Sequence, residues 1–125
     1  MRWNGPAFRS RLDVPATPWD KLVDYYCPKE GTRDWTRPMH ALVERIAAAW
    51  WSRGLFARTS MASLIIAQTD PFDIFGRQVL VVEPGPARTI VFRYDGWETN
   101  APEGDAFEKL EHVLRNRLKW VAGHT

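Results

Sequence analysis

Hydrophobic positions along this chain recur with two periods, and the switches between them mark its elements. Met39, Leu42, Val43, Ile46 and Trp50 fall at three- and four-residue spacing, the stripe of an amphipathic helix. Thr36 is placed to cap that helix, which starts near Pro38, and Gly54 reads as its left-handed terminator. Trp51 lies about 100° round from Trp50, so only one of the pair holds the centre of the apolar face. Short β-rich runs follow at residues 55–58, 62–68, 72–75, 78–83 and 89–94. Thr69-Asp70-Pro71 and Pro84-Gly85-Pro86 are turns, and Gly76 reads as a bulge. A second helix begins near Asp105, where Asp105 and Glu108 form a capping-box pattern worth about 1 kcal/mol. Phe107, Leu110, Leu114, Leu118 and Val121 define its core face.

Short turns between successive strands imply an antiparallel meander. The expected fold is therefore α+β: an antiparallel three- to four-stranded sheet with two helices on one face, in the order α-β-β-β-α over residues 38–121. Residues 1–37 carry Pro6, Pro15, Pro18 and Pro28 among the aromatics Trp3, Phe8, Trp19, Tyr25, Tyr26 and Trp35. They are too apolar for a solvated tail and are expected to wrap the main unit. One short helix is expected inside the wrap. Thr17 caps it, Pro18 takes its first position, and it ends near Tyr26 before Pro28. Residues 29–34 form a polar loop. The whole of 1–125 is read as a single domain.

Alternation assigns the strand side chains to two faces. Ile90, Phe92 and Tyr94 share one face with the helix-covered core, and Leu64 and Ile66 do the same. Val91 and Arg93 share the other, as do Ser63, Ile65 and Ala67. That second, mixed face is either covered by residues 1–37 or left open as a docking surface. Val113 and Trp120 fall on a flank of the last helix. Either the N-terminal segment packs there, or they form an exposed patch that marks a partner site.

Composition narrows the class. The chain has 125 residues, one cysteine (Cys27), a net charge of +2 and seven tryptophans. A lone cysteine excludes an intramolecular disulfide, and a reducing, cytoplasmic setting is expected. No apolar run approaches the roughly 20 residues that cross a bilayer, and the first residues do not read as a signal peptide. No membrane partner is expected.

Candidate chemistry is sparse. His40, His112 and His124 are far apart and lack ligand spacing, so no metal is expected. Cys27 precedes a proline, and Ser60 and Ser63 lack a nucleophile-elbow context. Gly85 stands between prolines, which removes the N–H groups a phosphate loop needs. No cofactor is expected. Arg53, Arg58, Arg77, Arg88 and Arg93 are scattered among acids, which makes nucleic acid an unfavoured partner.

The helix–three strands–helix order resembles the core of the PD-(D/E)xK nucleases, with Asp70 and Asp73 in place of the first acid and Glu83 of the second. Pro84 and Gly85 follow Glu83, and no lysine stands nearby. The resemblance covers topology alone. A two-acid site without the lysine lacks a positive group near the attacking water.

Size and build also resemble, in outline, immunity proteins that neutralise a toxin from a neighbouring gene. That resemblance implies a non-enzymatic protein-binding module of the inhibitor or immunity type, with another protein as partner. Arg93, Trp97, Trp120 and Trp51 are the candidate partner contacts, with Trp97 as an anchor in a polar turn where Asp95 and Glu98 orient a basic partner. Two alternatives stand beside this reading. One is a small-ligand-binding or enzymatic domain using Asp70, Asp73 and Glu83, with its pocket between the sheet and the N-terminal segment. The other is a homodimeric structural subunit.

Overall fold

The computed structural model describes residues 13–28 and 36–121. The polar loop expected at 29–34, most of the aromatic N-terminal segment, Trp35 and His124 lie outside the described residues. Strand β1 (Asp13–Val14) leads through Thr17, whose N–H donates to the Ala57 carbonyl at 2.8 Å, to helix α1 (Trp19–Tyr26). The expected cap is shifted by one. Pro18, not Thr17, holds the position before the helix, and no side chain caps it. Leu22 and Tyr26, four residues apart, are both buried.

Helix α2 (Thr36–Ala48) begins two residues earlier than expected and buries Met39, Leu42, Val43 and Ile46. Its end differs from the expectation. Ala49 turns extended, and a 3-10 turn (Trp50–Gly54) follows. That break resets the helical phase, so Trp50 is 58% exposed and Trp51 is 4% exposed. Gly54 ends the 3-10 turn and is not among the residues of positive φ.

Among the described residues the main sheet has five antiparallel strands, where three or four were expected. They are β2 (Phe56–Ser60), β3 (Ser63–Ala67), β5 (Leu80–Pro84), β6 (Thr89–Tyr94) and β7 (Trp97–Pro102), in that spatial order. Between them, β4 (Phe72–Asp73) leaves the main sheet and pairs with β1, with Val14 opposite Phe72. Gly76 is not a bulge. It closes a tight turn by donating its N–H to the Asp73 carbonyl at 2.9 Å. The strand missed by the sequence reading is β7. Asp95 and Gly96 form a two-residue turn, with φ of 43° and 83°, between the paired residues Tyr94 and Trp97.

Helix α3 (Ala106–His112) follows a short 3-10 turn. Asp105 precedes it without a side-chain cap bond, so the capping box is not formed. A π turn (Val113–Arg117) continues the helix, with the Leu118 N–H donating to the Val113 carbonyl at 2.9 Å. Val113 is buried beside Leu114, where a flank position was expected: it stands three residues after Leu110 and seven after Ala106 in regular helical phase, so all four share the core face.

Among the described residues, the short helix α1 joins the two expected helices in covering one face of the sheet. Their side chains meet Ala57, Leu64, Ile66, Leu80, Val82, Ile90, Phe92 and Ala101 in one apolar cluster. A second cluster forms on the opposite face from Ile65, Ala67, Phe72 and Val79, with Ala16, Phe56 and Ile74 against it. The mixed face is thus divided. The β1–β4 ribbon is built into the cover at its β2–β3 end, and its β5–β7 end carries Val81, Glu83, Val91, Arg93, Glu98 and Asn100.

Candidate binding surfaces

Strand alternation puts Phe92 into the core and its neighbour Arg93 on the outer face. Arg93 stands between Val81 on β5 and Glu98 on β7. Its guanidinium pairs with Glu83, whose other oxygen accepts a hydrogen bond from Ser63 Oγ at 2.8 Å. One charged row therefore crosses three strands of this face.

Beside that row lies a cleft of about 480 Å³, lined by Phe75, Val79, Val81, Arg93 and the β6–β7 turn. The turn after β4 forms one lip. Asp73 Oδ1 accepts the Phe75 N–H at 2.8 Å, and the Asp73 carbonyl accepts from Gly76. This is a side-chain-closed turn of the kind Asp favours. It holds the Phe75 ring outward, 74% exposed. The sequence reading placed Phe75 inside a strand. The signal that would have found it is Asp73 two residues before it, with Gly76 next.

The four sequence-derived contact residues do not share one surface. Arg93 is on the outer face. Trp97 stands opposite Tyr94 on the helix side, packs at the edge of the main core, and carries the Arg117 guanidinium 4.7 Å from its ring centroid. Trp120 is partly buried and meets Tyr94 edge to face at 5.5 Å. Trp51 is buried, stacks on Phe107 at 5.9 Å, and donates its Nε1–H to Glu111 Oε2 at 3.1 Å. Trp97 and Trp120 join the end of the helix layer to the β6–β7 hairpin, and Trp51 ties the turn after α2 to α3.

The three carboxylates of the ligand-pocket reading are also separated. Asp70 Oδ1 accepts the Ala16 N–H at 2.8 Å, Asp73 closes the Phe75 turn, and Glu83 holds Ser63 and Arg93. Among the described residues, no group of three or more His, Cys, Asp or Glu is placed to hold a metal ion. A second cleft, of about 500 Å³, lies between the start of α2 and the β5–β6 turn, where Arg37 and Arg88 face Glu103. Arg88 pairs with Glu103 there at 3.3 Å. Arg58 donates to the Pro15 carbonyl at 2.9 Å. Three of the five scattered arginines therefore have partners within the chain.

One buried titratable group stands out. Tyr26 Oη donates to the Ala62 carbonyl at 3.1 Å. Burial, and then the neighbouring Tyr25, push its pKa above the ordinary tyrosine value. No helix among the described residues is long and apolar enough to cross a membrane. No protein-family model, curated protein or solved structure matches this chain.

Proposed function

We propose that the protein is a non-enzymatic protein-binding module, of the inhibitor or immunity type, that engages another protein through the outer face of its sheet. The observation that carries this reading is Phe75: a large aromatic ring, 74% exposed, held at the lip of a cleft beside Arg93. Aromatic side chains are enriched at interfaces and act as anchors when a partner pocket desolvates them. Asp95 and Glu98 ring the same cleft and favour a partner that presents basic groups around an apolar pocket. In this reading Arg93 touches the partner, while Trp97, Trp120 and Trp51 keep the hairpin and helix layer rigid behind it. A rigid surface loses little conformational entropy on binding.

The test is affinity capture from lysate of the source organism, with nuclease added and salt varied. Wild type is compared with Phe75→Asp and with Met61→Asp. Met61 is an equally apolar side chain, 86% exposed, on the β2–β3 turn. The reading expects one stoichiometric protein, retained by wild type and Met61→Asp and lost by Phe75→Asp. Its activity should fall when the chain is added one to one. Equal capture by all three chains sinks the site, and an unaffected activity sinks the inhibitor reading.

A further inference from the structure

The two edges of the sheet end differently. At β2 the Thr17 backbone bridges to Ala57, and Arg58 reaches the Pro15 carbonyl, so residues 15–17 cap part of that edge. At β7 no described residue pairs with the outer side. The two-residue turn makes Tyr94 and Trp97 its closing hydrogen-bonded pair. Trp97, Thr99 and Ala101 then direct N–H and C=O to β6, while Glu98 and Asn100 direct theirs outward. Such an edge is a template for another strand.

We propose that β7 is the seam of a two-fold dimer of this chain, with β7 pairing antiparallel to β7 of a second copy. Charge selects both the occupant and the register. A two-fold at Thr99 sets Glu98 opposite Asn100 of the other copy, twice. Moving the axis to residue 98 sets Glu98 against Glu98, which is repulsive. Moving it to residue 100 sets Glu98 against Pro102, which has no N–H to give.

The helix beside the edge obeys the same symmetry. Two clefts flank β7 on the α3 side. One, near Asn100 to Pro102, is lined by Asp105, by Glu108 (paired with Arg45) and by Lys109 and His112. The other, near Trp97, is lined by the same Lys109 and His112 with Asn116 and Arg117. The carboxylates of the strip are confined to one end, and the other end is basic. A two-fold turns the acidic end of one copy to the basic end of its mate, the self-complementarity an isologous interface needs. Glu98 and Trp97 also line the Phe75 cleft, but Phe75 itself is not part of the seam, so the proposal does not rest on it.

The test is sedimentation equilibrium of the full chain at rising concentration. Wild type is expected to approach twice its 14.5 kDa mass. Asn100 is exposed, so its substitution should leave the monomer's urea melt unchanged. Asn100→Lys faces Glu98 of the mate and should lower the dissociation constant about tenfold, while Asn100→Glu should raise it about tenfold, because symmetry applies each change twice. Thr99→Cys, placed on a Cys27→Ser background, should oxidise to a covalent dimer. Directly opposed, non-hydrogen-bonded residues lie about 4.5 Å apart at Cα, within disulfide reach. A monomer at every concentration, Asn100→Lys included, overturns the proposal. So does a dimer whose affinity is the same in both charge variants, or a Thr99→Cys chain that does not cross-link. Phe75→Asp should dimerise as wild type does, so a failure here leaves the partner-binding reading standing.

Discussion

Trp51 and Glu111 stand 60 residues apart, and the indole Nε1–H of one donates to Oε2 of the other at 3.1 Å. The bond ties the turn after α2 to the last turn of α3, while the indole stacks on Phe107. Helix α2 is locked to α3 a second time by Arg45, which pairs with Glu108 at 3.0 Å and lies 4.1 Å over the Phe107 ring. Trp51→Phe keeps an apolar ring and removes the donor, so it should cost about 1.5 kcal/mol or more, because a partly buried carboxylate loses a partner. Trp51→Ala adds a cavity and should cost about 3–5 kcal/mol. Urea unfolding of the two variants checks the order.

The Tyr26 hydroxyl makes stability depend on alkaline pH. Its folded pKa is raised by burial and by Tyr25, so the folded chain holds the proton more tightly than the unfolded one. The contribution is fully present below the unfolded value of about 10 and is lost as pH rises above it. Denaturant melts from neutral to strongly alkaline pH should show stability falling in that upper range. Tyr26→Phe should flatten that fall and lower stability at neutral pH by about 1 kcal/mol, through loss of the bond to Ala62.

Two hairpin glycines are needed for different reasons. Gly96 has φ +83°, and a Cβ there would meet nothing within 4 Å. Gly96→Ala should therefore cost about 1 kcal/mol through backbone conformation alone. Gly85 has an ordinary φ of −111°, but an added Cβ would sit 2.7 Å from Thr89 Oγ1 and from Val91 Cγ2. Gly85→Ala should cost about 1–3 kcal/mol through overpacking of the β5–β6 turn. Gly104→Ala, with open space and no positive φ, serves as the control and should change stability by less than about 0.5 kcal/mol.

Arg93 offers the opposite behaviour. Its ion pair with Glu83 is on the surface, with the Arg93 side chain 47% exposed. Arg93→Ala should change the free energy of unfolding by about 1 kcal/mol or less. If the outer face binds a partner, the same substitution should weaken that binding while the melting curve barely moves.

How much of this was legible in the sequence depended on whether a pattern kept its phase. The α2 stripe through Ile46 and the strand alternation of Ile90 and Phe92 ran unbroken, and both landed in the core. The stripe failed at Trp50 because Ala49 leaves the helix one residue earlier, and nothing in Ala47-Ala48-Ala49 announces a break. It failed again at Val113, which lies in regular phase with Ala106 and Leu110 on a core face wider than the stripe assigned to it. Strand β7 was missed despite its Asp95-Gly96 turn, the strongest hairpin signal there is. Its six residues, Trp97 to Pro102, hold few apolar side chains to reveal a period of two. Arg93 was correctly placed on the mixed face. Phe75 was hidden, because only the Asp73 turn shows that its ring points away from the core.

The central claim is that Phe75 anchors a protein partner, and calorimetric titration of the captured protein tests it most directly. Phe75→Ala should weaken binding at least about tenfold, the loss of an anchor worth about 1.4 kcal/mol or more, while Met61→Ala should change it by less than about twofold. Equal affinities for wild type and Phe75→Ala would contradict it.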